Sequence, residues 1–546
     1  MPTPPRQQTT PPLAASATLS TKGGQVFRIL TVAALGMAAL LALFPPVGHD
    51  QLWCLYVAQR MLAGARLYGP ELFESNPPLI MGASLLLAHI AQLTHIPITV
   101  LFKLAVVAIE LTSALLSHRI LQGLYPGMKA NTRWFLTFAY VVIYAVMPAR
   151  DFGQRDHLLA ILCLPYVLAA ALDASQQNRV PHISHLRYGN TATCLSIATR
   201  ILIALAAAIG ICLKPHNALL VLTSELLLLA STRKRRLFRP ELVTILATGA
   251  LYLAAVRTLT PDYLTQVVPL LKDVYWAIGH LTPLQLAGEA IQLHLLALSV
   301  LALYLRKGWR ESGLTIAFLF AAGLASTAAY YLQGTGWYYQ QIPALSFFAA
   351  ALALQLADAW DELIVPTCAP VAALSLSLLA LGLTAHFTNY PFIPSRSFPI
   401  DAPDESFFTD LAPNTPVAIL TTSVDDTVMP TAKYHLLWAQ RTNNLWILPA
   451  LLRNESGPRP QHIIPPARLA ELEALQHRFM VEDLNRWHPQ LILINRCQDP
   501  SVQCQVIEDR HDDLLAWFNR DPAFRAAFSS YRYAGSKGDF DAYLLP

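Results

Sequence analysis

Apolar runs long enough to cross a membrane recur along most of this 546-residue chain, near 28–45, 98–118, 134–149, 157–174, 200–213, 217–231, 241–258, 286–305, 313–332, 341–357 and 364–386. About 20 apolar residues in a helix cover the ~30 Å hydrocarbon core of a bilayer. Within that core a backbone exposed to lipid must bond to itself, so runs of this kind fold as helices. The composition agrees, with 54% hydrophobic and 14% charged residues, where soluble domains carry about 25% charged residues. These features predict a polytopic α-helical membrane protein of about eleven spans. The net charge of +4 is too small to argue for nucleic acid as a partner.

Lysine and arginine in short loops set the orientation. With the N-terminus inside, 17 basic residues fall on the inner side, including the block Arg233-Lys234-Arg235-Arg236. The intervening loops hold 6, namely Arg60, Arg66, Arg150, Arg155, Lys214 and Lys272. A full crossing by the shorter run 79–93 would invert this balance. That run is therefore read as a re-entrant or interfacial helix, or a short hairpin element, started by Pro77 and Pro78. Residues 1–27 are rich in Pro, Thr and Ser and read as a disordered cytoplasmic tail. No small-residue cleavage site follows the first apolar run, which makes 28–45 a retained span rather than a signal peptide.

Residues 391–546 change character. A Pro-rich stretch, 391–416, leads into strand-like runs at Val417–Thr422 and Leu491–Asn495, with polar helical stretches at 466–479 and 510–529. Continuous apolar strands of this kind suit a parallel arrangement covered on both faces. The expected architecture is thus a membrane part, 28–390, followed by an extracytoplasmic α/β domain, 391–546, with no GxGxxG, GxSxG or P-loop of its own. Cys497 and Cys504 lie close together in that region, where a disulfide and two free thiols are both open readings.

Polar groups gather on the predicted outer side. Arg150-Asp151-Phe152-Gly153-Gln154-Arg155-Asp156-His157 stands between two apolar runs. A charge at the bilayer centre costs a few kcal/mol, so such clusters face a cavity or a partner. Snorkelling at a helix end is the plain alternative. His49-Asp50 follows the first span directly, and Arg66, Glu74 and Asn76 lie in the same loop. Lys214-Pro215-His216 separates two helices, and Trp337-Tyr338-Tyr339 closes another loop, where an interfacial aromatic belt is the plain alternative. His216 and His280 have no metal-ligand spacing. Glu110, Glu225 and Glu289 sit on different spans and read as helix-packing groups. No metal and no cofactor is indicated.

The order of these motifs resembles a known family. An acidic residue follows the first span, then Ala-Gly-Ala-Arg-Leu-Tyr at 63–68, Phe73-Glu74-Ser75-Asn76-Pro77-Pro78-Leu79, a charged second loop, Lys214-Pro215, and Gly336-Trp337-Tyr338-Tyr339. The pattern is similar to that of the GT-C superfold glycosyltransferases, especially the protein-mannosyltransferase and lipid A aminoarabinose-transferase branch. Two departures stand out: His49-Asp50 replaces the paired acids frequent in the family, and Asn76 replaces the lysine of its Lys-Pro-Pro-Leu.

The resemblance implies an inner-membrane enzyme that moves a sugar from a polyprenyl-phosphate donor to an extracytoplasmic protein, lipid A or envelope glycan, inverting the anomeric centre. In that reading Asp50 is the general base. Asp151 and Asp156 orient an arginine or the acceptor, and Asp156 is the alternative base. Arg155, Lys214, Arg66 and His216 hold the donor phosphate. Glu74, Asn76, Gln154, Trp337, Tyr338 and Tyr339 bind substrate. A transporter or flippase of a lipid-linked glycan is the competing class, and it would place its charges near the bilayer midplane on broken helices.

Overall fold

A computed structural model of the chain describes residues 47–178, 195–232, 239–275, 281–305, 312–362, 403–456, 463–507 and 510–546. The expected tail and the runs 28–45 and 364–386 lie outside the described residues, as does His280.

The first described helix, α1 (His49–Leu62), is followed by α2 (Pro78–Thr94), α3 (Ile98–Leu124), α4 (Ala130–Val146), α5 (Arg155–Asn178), α6 (Ile197–Leu213), α7 (Ala218–Ser231) and α8 (Pro240–Leu259). Then come α9 (Val268–Val274), α10 (Pro283–Glu289), α11 (Ile291–Leu305), α12 (Gly313–Gln333) and α13 (Ile342–Glu362). Five of the described helices are long and apolar enough to cross a membrane, six if α10 and α11 form one span. This identifies an integral membrane protein. Of the eleven expected runs, 28–45 and 364–386 lie outside the described residues, and three others are short for the ~30 Å core, as α4 and α6 have 17 residues and α7 has 14. The expected single run 286–305 is two helices bent by 68° at Ala290.

Burial sorts these helices into centre and rim. In α5 83% of the apolar window is buried, and 89% in the segment that includes α13, against 28% in α3 and 11% in α8. Helix α5 packs against α3, α6, α7, α12 and α13. Its buried Ala160, Ala169, Ala170, Ala171 and Ala174 let neighbouring backbones approach closely, the usual basis of helix association in lipid. The N-terminal end of this central helix carries Arg155 and Asp156.

The C-terminal region builds one mixed five-stranded sheet. Its strands are β1 (Pro416–Leu420), β2 (Leu437–Trp438), β3 (Leu491–Asn495), β4 (Arg532–Lys537) and β5 (Phe540–Leu544), in the order β2-β1-β3-β5-β4. The two expected strands pair in parallel, with Val417 opposite Leu491. All five residues of β3 are buried. Strands β4 and β5 form an antiparallel hairpin that the sequence analysis missed, because β4 is mostly exposed and carries no apolar alternation. Around the sheet lie α14 (Asp425–Lys433), α15 (Leu448–Ser456), α16 (Pro466–Trp487), α17 (Leu514–Phe518) and α18 (Pro522–Phe528). The expected helix 510–529 divides because Asp521 caps the amide of Ala523 and Pro522 starts a new turn. Cys497 and Cys504 are disulfide-bonded, with Cα atoms 5.7 Å apart.

Candidate active site

Two loops meet above α5. Gly48 lies so close to the second loop that a Cβ there would stand 2.4 Å from the Arg150 carbonyl oxygen. Gln51 Nε2 donates to the Phe152 carbonyl at 3.2 Å. Gly153 has φ +81°, and a Cβ would meet the Phe102 ring at 2.3 Å, so glycine is required there by backbone and by space. Its N–H donates to His157 Nδ1 at 2.9 Å. These contacts bring Asp50 to the N-terminus of α5.

Gln154 makes the junction. Its Oε1 accepts the backbone N–H of Arg155. With the oxygen so placed, the amide nitrogen points away and donates to Asp50 Oδ2 at 2.7 Å. One oxygen of Asp50 is thus oriented by a neutral amide, while its Oδ1 lies 3.4 Å from His49 Nε2. The Arg155 guanidinium lies within electrostatic reach of Asp50, Tyr339 and Asp156, with no ion-pair partner among the described residues.

Asp156 and Lys214, in contrast, pair with each other. Lys214 Nζ stands 2.6 Å from Asp156 Oδ2, donates to Gln333 Oε1 at 3.2 Å and lies 4.8 Å from the Tyr339 ring centroid. Both residues are buried. Lys214, expected to hold the donor phosphate, is thus paired with Asp156, the expected alternative base. His216 sits beside them at about 4, lowered by burial and by Lys214, so near neutral pH it carries no charge for a phosphate. Arg66 is solvent-facing, 71% exposed and paired with Asp262. Asp151 is buried, and burial raises its carboxyl to about 7, against the pull of Arg150 and His49.

The first-loop residues are joined to one another. Glu74 accepts from the Trp53 indole, and from the Asn76 backbone N–H at 2.8 Å and Nδ2 at 2.7 Å. Tyr68 OH donates to the Asn76 carbonyl at 2.6 Å. Glu74 is buried, which raises its carboxyl despite these donors. The geometry thus makes Glu74 and Asn76 shape the loop. In the last loop, the Trp337 and Tyr339 ring centroids lie 5.7 Å apart, and Tyr338 OH bonds the Met147 carbonyl. The following Gln341, part of the same polar loop but given no role from sequence, bridges the break between α10 and α11. It donates to the Glu289 carbonyl at 2.8 Å and accepts from the Ile291 N–H at 2.9 Å.

The C-terminal region docks on the first loop and on helices α1 and α9. Phe73 N–H donates to the Arg441 carbonyl at 2.8 Å, Trp438 N–H to Tyr56 OH at 2.9 Å, and Arg468 pairs with Asp273 at 2.8 Å. His49 Nδ1 lies 2.7 Å from Asp425 Oδ1. Asp425 was not singled out from the sequence, and nothing local in Val424-Asp425-Asp426 marks it. Among the described residues no group of three or more His, Cys, Asp or Glu side chains is placed to hold a metal ion.

A second buried charge network sits at the far end of α5. Arg200 pairs with Asp173 through two bonds, at 2.6 and 2.9 Å, and also reaches Glu241. Arg239 pairs with Glu225 at 2.7 Å and Asp173 at 2.8 Å. Tyr166 OH donates to Glu225 at 2.6 Å. Glu225, read from sequence as a packing group, serves as one here.

This arrangement of helices has the GT-C fold. ArnT from Cupriavidus metallidurans in the apo state superposes with a TM-score of 0.50 at 13% identity, over 96% of this chain and 98% of that chain. ArnT bound to undecaprenyl phosphate gives 0.48 at 13%, over 98% and 99%. The archaeal oligosaccharyltransferase AglB from Archaeoglobus fulgidus, in complex with an inhibitory peptide and a dolichol-phosphate, gives 0.41 at 12%, over 95% and 74%. No protein-family model and no curated protein matches the chain.

Proposed function

We propose that this chain is a membrane glycosyltransferase that moves a sugar from a polyprenyl-phosphate donor to an extracytoplasmic acceptor: a protein, lipid A or an envelope glycan. One observation carries the reading. An arginine without an ion-pair partner among the described residues stands beside a carboxylate that a neutral amide orients. A guanidinium presents a planar fork suited to phosphate, and a carboxylate held in a fixed direction is set to meet an acceptor hydroxyl.

In the reaction, Asp50 accepts the proton of the acceptor hydroxyl while that oxygen bonds to the anomeric carbon. The bond from anomeric carbon to phosphate oxygen breaks, and its electron pair leaves with the polyprenyl phosphate. Arg155 faces the charge that grows on that phosphate, where preorganised donors act most strongly. Direct displacement from the opposite face inverts the centre. Lys214 and Asp156 hold the floor of the site. Trp337 and Tyr339 offer an aromatic wall to the sugar.

The fold shared with ArnT, which has been solved with undecaprenyl phosphate, supports the donor class. The disulfide and the basic-residue asymmetry support an outer location for the C-terminal region. The transport reading would draw on the broken helix at Ala290, but Gln341 satisfies that break from within the protein.

The test uses the full chain in vesicles, supplied with an undecaprenyl-phosphate-linked pentose or hexose and envelope acceptors from a strain lacking this protein. Release of undecaprenyl phosphate with sugar transfer is expected. Movement of the intact lipid-linked sugar across the vesicle membrane without its cleavage would establish the transporter class instead.

A further inference from the structure

We propose that Asp425, from the C-terminal α/β region, is a positioning residue for transfer: acting through His49, it holds the Asp50 carboxylate, so the base is set only when the two parts of the chain are docked. The inference rests on the reading of Asp50 as general base. It goes further by making the C-terminal region a working part of the site rather than a binding accessory.

The link is a chain of three side chains. Asp425 Oδ1 lies 2.7 Å from His49 Nδ1, and His49 Nε2 lies 3.4 Å from Asp50 Oδ1. The other oxygen of Asp50 accepts from Gln154, so each end of that carboxylate has a separate holder. The two ring nitrogens of an imidazole are fixed in direction relative to each other, so placing Nδ1 on Asp425 also aims Nε2. A side chain in the sheet-bearing region thereby sets the direction from which Asp50 is held.

Asp425 opens α14, and α14 packs directly on α1, the helix that carries His49 and Asp50. Arg150 stands 3.9 Å from Asp425 Oδ2 and draws the second loop into the same cluster.

The charges around His49 explain why the link holds. On its own helix it faces Asp50. From α14 it faces Asp425, and from the second loop it faces Arg150 and lies near Asp151. Burial opposes its protonation, but Asp50 and Asp425 outweigh burial and Arg150, raising the imidazole from 6.5 to about 9. Burial raises Asp425, but His49, with Arg150 and Gln505, more than reverses this and leaves its carboxyl low. A protonated ring donates through both nitrogens, which is what two flanking carboxylates require. Above about pH 9 the ring loses a proton and can donate to only one of them.

The experiment compares wild type with Asp425→Asn, Asp425→Glu, His49→Gln and the docking control Arg468→Gln, all as full chains in vesicles with the lipid-linked sugar above. A displaced base is expected to lower kcat about 10- to 10²-fold with KM unchanged. Asp425→Asn and His49→Gln should both show this, and both should flatten the alkaline limb of the kcat profile. Asp425→Glu should recover part of the rate, and Arg468→Gln should leave kcat and its profile unchanged. A wild-type rate and pH profile in folded Asp425→Asn would overturn the proposal.

A second readout needs no donor. The imidazole signal of His49, identified by its loss in His49→Gln, should titrate near 9 and fall toward 6.5 in Asp425→Asn. Titration unchanged by Asp425→Asn would also overturn the link. If wild type transfers no lipid-linked sugar, the base reading fails, and the imidazole titration still decides whether the link exists.

Discussion

At one end of α5, Asp173 shares two arginines with Glu225 and Glu241. At the other, 18 residues and ~27 Å of helix rise away, Arg155 stands beside Asp50 with no ion-pair partner among the described residues. Both ends bury charge among the same helices. The first end closes on itself: each of its five charged groups has an opposite charge within bonding distance, and Tyr166 takes up a further bond to Glu225. Such a network ties α5, α6, α7 and α8 together and offers a ligand little. The second end is divided, with Asp156 and Lys214 spent on each other, Asp50 held by an amide and by His49, and Arg155 left without an ion-pair partner among the described residues. A buried charge is costly without a partner, and a ligand that brings a phosphate supplies one. The saturated end organises helices, and the unsaturated end has the character of a site.

The sharpest way to break this comparison is to disable the unsaturated end. Asp50→Asn keeps the size and one hydrogen-bonding oxygen but cannot take a proton. Transfer should fall about 10²–10⁴-fold, the scale of general-base catalysis, while expression and donor binding survive. If Asp50→Asn turns over normally, the assignment of roles to the two ends is lost. Replacement at the saturated end should instead act on folding. Arg239→Ala leaves Glu225 and Glu241 with less compensation and should cost about 3–5 kcal/mol of stability, as for other broken buried pairs. Unfolding measured in detergent checks this, and the fraction that remains folded should transfer at the normal rate per molecule.

Arg155→Ala is a smaller test of the same contrast. It removes no ion pair seen among the described residues, so the free protein should lose little stability. Donor binding should weaken by about 1.5–3 kcal/mol, the worth of a hydrogen bond to a charged group. Binding of undecaprenyl phosphate to the full chain, followed by quenching of intrinsic fluorescence, measures it. Wild-type affinity would turn Arg155 into a helix-end cation.

Much of this contrast was legible in the sequence, and for a physical reason. Membrane helices need long apolar runs, so α3, α5, α8 and α12 announce themselves, and charges that interrupt such runs announce a special environment. That is how Asp50, Gln154 and Arg155 were found. Their division of labour was not legible. Whether Lys214 faces a phosphate or Asp156 depends on how α5 and α6 pack, and adjacent residues in sequence carry no such information. Asp425 was invisible for the same reason: it is brought to His49 by the docking of a sheet whose strands are hundreds of residues from α1. The break at Ala290 was hidden too, because the apolar run continues through it and the partner that satisfies it, Gln341, lies in another loop. Strand β4 escaped because an exposed strand has no apolar face to show.

Asp151 separates the two kinds of buried charge most finely. It lies on the unsaturated side, next to Arg150, yet it is buried and its carboxyl sits near 7 rather than near its ordinary 3.8. Burial is the main cause, followed by the attraction of Arg150 and His49, which limits the rise, and the repulsion of Asp50 and Asp156, which adds to it. The sign follows from linkage. A group whose folded value is raised contributes stability that is fully present below its unfolded value, here 3.8, and is lost as pH climbs through about 7. The ionised carboxylate is therefore a burden to the folded chain at pH 8. Asp151→Asn mimics the protonated form and removes that burden. It should raise the unfolding midpoint at pH 8, by the equivalent of about 1 kcal/mol once solvent relaxation is allowed for, and should change little at pH 5. Thermal unfolding of both proteins at the two pH values measures the difference. A midpoint that falls equally at both would mean that Asp151 holds a partner in its ionised form, which would move it from the strained side of the site to the saturated kind seen at Asp173.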